Sequence, residues 1–114
     1  MKKIFIIIRI DSYLKTKQAL SEIGVLGLNA HVVQGRGKKS MPSVVGSDVK
    51  GSNVINEGML LPKKLIEIVA EDDKVDDIVK VAIEANKTGN SGDGKIFIMP
   101  VTDVFKIRTK THEL

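Results

Sequence analysis

Apolar residues along this chain fall into runs of two different periods, and the switches between them lay out its elements. Residues 3–10, "KIFIIIRI", form a β-branched run too short for a helix, which predicts a strand buried on both faces. Asp11 and Ser12 offer an N-cap, and Tyr13, Ala19, Leu20 and Ile23 then share one face of a helix over residues 13–23 that Gly24 ends. In "LNAHVVQG" the residues Leu28, Ala30 and Val32 alternate against Asn29 and His31, giving a second strand that stops at Gly35. A third strand is expected over "KKLIEIVA", residues 63–70. The second helix has the clearest pattern: Val75, Ile78, Val79, Ala82 and Ile83 follow three-and-four spacing, and Gly89 is expected to close it. Asp72, Asp73, Asp76 and Asp77 at its start favour the positive end of the helix dipole, a better account of them than a metal cluster. "KIFIMPV" is a fourth strand, and "VFKIRT" is expected to add a short fifth with Val104, Lys106 and Arg108 on one face.

The order β-α-β-β-α-β belongs to the α+β class and predicts a ferredoxin-like sheet: four antiparallel strands with two helices on one face. Leu65 and Val69 would then point away from the helices, as would part of the first strand. Such an apolar face needs a cover, so assembly through it is expected. Between strands two and three lies "GRGKKSMPSVVGSDVKGSNVINEGMLLP", residues 35–62, with no sustained period. An insertion of this length in a small domain points to a partner-binding loop, with a hairpin turning at "GSDVKGSN" as one way to organise it.

Composition narrows the class without choosing a function. With 114 residues, 42% of them hydrophobic and 28% charged, the chain has the make-up of one globular domain over residues 1–114. It has no cysteine, and its apolar N-terminal run is broken at Arg9 with no small-residue cleavage site after it. A cytoplasmic protein is expected. The net charge of +4 favours anionic partners but does not separate phosphates from acidic proteins or nucleic acid.

Candidate chemistry concentrates in "TGNSGDGKIFIMP", residues 88–100. Gly89, Gly94 and Lys95 meet the G-x-x-x-x-G-K spacing of a P-loop, yet Ile96 stands where a magnesium-binding hydroxyl is required. The stretch also follows a helix and precedes a strand, the reverse of the P-loop order. Two readings remain: a nest of backbone amides for an anion with Lys95 beside it, and a plain tight turn at Gly92-Asp93-Gly94. Elsewhere there is little to support catalysis. His31 and His112 are the only histidines and read as surface residues, and no serine sits in a G-x-S-x-G elbow. RNA-binding modules of the same strand order stack bases on aromatics, and this chain has three Phe and one Tyr. No nucleic-acid partner is expected.

Several motifs together resemble the PII nitrogen-regulatory signal proteins: "ALSEIG", "GRGK", "LPKKLIEIV", "TGNSGDGKIFIMPV" and "KIRT". The last two are the most specific, and they match the signatures T-G-x-x-G-D-G-K-I-F and I/V-R-T-G except that Lys110 replaces the final glycine. The resemblance implies a trimer whose sheets line the centre, with ATP or ADP in the clefts between subunits. It places Gly92, Asp93, Gly94 and Lys95 on the phosphates, Lys106 and Arg108 reaching across, Gly37 and Lys38 closing over the nucleotide, and Asn29 and Val69 near the base. The insertion at about 37–61 corresponds to the family's T-loop, which docks on ammonium channels and enzymes. Lys39 stands in place of the glutamine that helps hold magnesium and 2-oxoglutarate, so that site departs from the usual geometry, although Lys63 matches the lysine that pairs with this ligand. The only tyrosine is Tyr13, which argues against uridylylation of the loop. The longer loop, with "GMLLPKKLIEIV" and "EANKTG", is similar to the nitrogenase-associated PII paralogues, which act in pairs.

The reading that follows is a non-catalytic signal transducer of nitrogen status, a homotrimer or a hetero-oligomer with a paralogue. It would control nitrogenase or an ammonium transporter, and meet a membrane only through such a transporter. The alternative from another class is an ACT-type regulatory domain, which shares the strand order and would bind an amino acid at a subunit interface.

Overall fold

The computed structural model describes residues 1–37 and 60–114. Strands β1 (Lys2–Ile8), β2 (Asn29–Gly35), β3 (Leu61–Ala70) and β4 (Lys95–Pro100) form one sheet in the order β2-β3-β1-β4. Every neighbouring pair is antiparallel. Helix α1 (Tyr13–Glu22) links β1 to β2, and α2 (Val75–Asn86) links β3 to β4, each crossover skipping one strand. This is the expected ferredoxin-like fold.

The core lies between the helices and one sheet face. Ile4, Ile6 and Ile8 of β1 and Ile66, Ile68 and Ala70 of β3 meet Leu20 of α1 and Val75, Ile78 and Ala82 of α2. Burial along β1 therefore alternates, where an unbroken apolar run predicts two buried faces. Within one chain Phe5 and Ile7 point to the other face and are only half-buried. The register brings Phe5 beside Phe97 and Glu67, and Lys3 beside Met99 and Val69. Phe97 is 48% exposed and Val69 40%, so this open face is apolar in part and uncovered. Lys3 lies 3.3 Å from Glu67 upon it.

Some boundaries differ from expectation. The first strand ends at Ile8, two residues early, because Ile10–Ser12 already turn as a 3-10 helix. Ser12 makes no side-chain cap; instead its carbonyl accepts from Thr16 Oγ1 at 2.7 Å. Asn86 Nδ2 donates in turn to Thr16 Oγ1 and to the Ala82 carbonyl, both at 2.9 Å. This satisfied polar link lets a fully buried threonine sit between the helices. Gly89 does not close α2, which ends at Asn86 with Lys87 extended. The fifth strand is absent: residues 107–110 turn, and only a Lys106–Thr111 bridge forms. Among the described residues no helix is long and apolar enough to cross a membrane.

Candidate functional site

The turn between α2 and β4 is built around one carboxylate. Asp93 Oδ2 accepts the backbone N–H groups of Thr88 at 2.8 Å and Gly89 at 3.0 Å, and its Oδ1 accepts the Thr88 hydroxyl. Arg9, just beyond the end of β1, donates from Nη1 to Asp93 Oδ1 at 2.8 Å and from Nη2 to the Ser91 carbonyl at 2.9 Å. Lys63 on β3 adds a bond from Nζ to the Gly92 carbonyl at 2.9 Å. The Thr88 hydroxyl, then the Thr88 amide and Arg9, hold the Asp93 carboxyl far below the usual carboxylate range. Burial, and then the nearby Arg9 charge, lower Lys63 from the usual lysine value, while Asp93 acts the other way.

Two glycines are dictated by this geometry. Gly94 has φ +117°, and a Cβ there would overlap the Ile7 carbonyl oxygen of β1. Gly92 has φ +96°, and a Cβ there would come within 3.1 Å of Arg9 Nη2. Both positions exclude ordinary side chains on backbone grounds.

The result is a shallow depression of about 240 Å³ on the open sheet face, lined by Ile7, Lys63, Gly92, Gly94, Lys95 and Phe97. The peptide N–H of Gly92 has no hydrogen-bond partner among the described residues, and Ser91 and Gly92 form a tight turn. Arg9, Lys63 and Lys95 bring three positive charges to the turn against the single carboxylate of Asp93. Such a place suits an anion better than a cation.

A family comparison decides what kind of chain carries this turn: the model of the "Nitrogen regulatory protein P-II" family matches residues 1–111. The chain belongs to the P-II family. Among similar proteins, "Nitrogen regulatory protein P-II 2" of Methanothermobacter thermautotrophicus is 40% identical over 111 residues, covering 96% of this chain and 90% of the relative. "Nitrogen fixation nifHD region GlnB-like protein 2" of Methanobacterium ivanovii is 35% identical over 114 residues, covering 96% and 93%. The protein of the same description from Methanothermobacter marburgensis is 36% identical over 118 residues, with the same coverage.

In this P-II chain the residues singled out from sequence divide into two groups. Gly92, Asp93, Gly94, Lys95 and Lys63 meet at the Ile7 end of β1, and Gly37 follows the end of β2 on that side. Lys38 and Lys39, with the hairpin expected in the insertion, lie outside the described residues. Val69 pairs with Lys3 and Asn29 with Glu67, at the other end of the sheet. Four residues of strand separate the levels of Val69 and Lys95, about 13 Å. Lys106 and Arg108 follow β4 past the Met1 end, where Val101 N–H bonds the Met1 carbonyl. There Lys106 pairs with Glu113 at 3.0 Å, and Arg108 is exposed in the 107–110 turn. One chain therefore does not bring the two groups together. His31 is exposed, and His112 meets Asp103 at 2.9 Å on the surface.

Pattern reading passes over Arg9 and Thr88, which do much of the organising. The signal for Arg9 is present: it is the one charge breaking the apolar run "IFIIIRI". Thr88 shows only as the first residue of the T-G-x-x-G-D-G-K-I-F signature, and its role emerges when Asp93, five residues later, folds back over it.

Proposed function

We propose that this P-II chain is a non-catalytic signal protein whose nucleotide site is completed only between subunits. ATP or ADP phosphates are held by the Gly92 and Asp93 amides and the Lys95 ammonium of one subunit. Asn29, Val69, Lys106 and Arg108 of a second subunit supply the base and far phosphate contacts. The observation that carries this reading is the depression that Gly92, Gly94 and the two lysines Lys63 and Lys95 line beside Phe97 on an uncovered sheet face. Backbone donors with a lysine beside them are the elements that polyphosphate recognition uses, in whatever order of strand and helix they are built.

The same face supports a trimer. Phe5, Phe97, Met99 and Val69 would be covered by the partner sheets, so assembly and site formation become one event. The segment between β2 and β3 then reports which nucleotide is bound, because it leaves the sheet next to Lys63 and the glycine turn. A ligand shifts such a segment only by its differential affinity for two states. 2-Oxoglutarate is a second effector in this reading, through Lys63 and Lys39, and the target is a nitrogen-fixation enzyme or an ammonium transporter. The descriptions of the nifHD-region relatives support the nitrogen-fixation setting.

Sedimentation velocity with titration calorimetry tests the proposal. A trimer binding ATP and ADP with distinct affinities, both lost in Lys95→Ala, is the expected result. A stable monomer, or Lys95→Ala binding like the wild type, would sink it.

A further inference from the structure

The three cations at the glycine turn are not equivalent. Lys95 follows the turn and lines the depression, Lys63 lines it too while donating to the Gly92 carbonyl, and Arg9 donates to the turn at two points. In a trans peptide the N–H points opposite to the preceding C=O. Arg9 holds the Ser91 carbonyl, so the Gly92 N–H faces away from Arg9; Lys63 holds the next carbonyl, that of Gly92. Arg9 thus orients the Gly92 amide by gripping the carbonyl behind it, while Lys63 ties the turn to β3. Arg9 does more, because it also fixes Asp93, whose carboxylate gathers Thr88 and Gly89 into the same turn.

We infer that Arg9 is a positioning residue for phosphate binding, acting through Asp93 and the Ser91 carbonyl rather than by touching the ligand. This rests on the nucleotide reading above. The geometry demands a guanidinium: two separate nitrogens serve two acceptors at once, which a single ammonium cannot do in the same fixed fork. Gly92 belongs to the same device, since any Cβ there would press on Arg9 Nη2.

A double-mutant cycle with two readouts tests it. Without nucleotide, Arg9→Gln is expected to speed amide hydrogen exchange at Thr88 and Gly89, the two donors to Asp93. With ATP, Arg9→Gln and Asp93→Asn should each weaken binding about tenfold, and the double variant should be no weaker than either alone. Arg9→Lys, which keeps the charge, should bind nearly as poorly as Arg9→Gln. The inference is overturned by unchanged exchange at Thr88 and Gly89, by losses that multiply to about a hundredfold, or by an Arg9→Lys chain that binds like the wild type. Wild-type protein that ignores ATP would overturn the nucleotide reading alone, leaving the exchange arm to decide whether Arg9 holds the turn.

Discussion

Replacing Gly94 by alanine tests the close approach between the glycine turn and β1. Two costs add. The backbone there has φ +117°, a region in which an L-residue is strained by about 1–2 kcal/mol. The new Cβ would also overlap the Ile7 carbonyl oxygen and stand 3.0 Å from the Ile7 carbonyl carbon, so the turn or β1 must move. Ile7 pairs with both Leu65 and Lys95, so that movement loosens the ladder on two sides, at about 1–3 kcal/mol for an overpacked site. The expected total is about 2–5 kcal/mol, centred near 3.5 kcal/mol. Urea unfolding at matched protein concentration, needed because assembly affects apparent stability, should show the midpoint falling by about 2 M for a slope near 2 kcal/mol/M. Gly27→Ala is the control: a Cβ there meets nothing within 4 Å, and its φ lies outside the left-handed region. Its midpoint should stay the same or rise slightly. A Gly94→Ala midpoint indistinguishable from that of Gly27→Ala would refute the reasoning.

Other substitutions probe separate contacts. Asp93 has a lowered pKa in the folded chain, so its stabilisation is complete above the unfolded value near 4 and drains away as the pH falls towards the folded one. Asp93→Asn should therefore be less stable than wild type at pH 7, with the gap narrowing below about pH 4 in acid titration followed by circular dichroism. Thr16→Val leaves one of the two Asn86 Nδ2 hydrogens without an acceptor, the other still reaching the Ala82 carbonyl, and thermal unfolding should register a loss of about 1–3 kcal/mol. Lys110 is the one non-glycine residue with positive φ among the described residues, at 58°. Lys110→Gly should relieve about 1 kcal/mol and raise the melting temperature by several degrees.

Much of the fold was legible because its signals are local. The three-and-four spacing from Val75 to Ala82 and the short β-branched runs give the helices, the strands and their order without any knowledge of contacts. What could not be read was set at a distance. "IFIIIRI" looks apolar throughout, so the sequence hides which half of β1 meets the helices; that is decided by pairing Ile4, Ile6 and Ile8 against α1 and α2. Thr16 and Asn86 look like surface residues until 70 positions of chain fold to join them. Gly89 carried the composition of a helix stop, yet Asp93 draws it into the following turn instead. "VFKIRT" had a strand's composition, yet it joins neither edge of the sheet, forming only a single bridge to Thr111, and it turns at Lys110 where the family signature has glycine. Of the site, the residue types at 92–95 were plain, and the separation of Lys106 and Arg108 from them emerged only with the sheet register.

The central claim, that each nucleotide site takes its two halves from different copies of the chain, is tested most directly by subunit mixing. Lys95→Ala and Arg108→Ala variants lesion opposite ends of the molecule, so each alone should lose ATP binding. Unfolded together and refolded at equal ratio, random assembly places an intact Lys95 beside an intact Arg108 at roughly a quarter of the interfaces. Calorimetry on the mixture should recover about that fraction of wild-type sites; a mixture as inert as the separate variants would contradict the account.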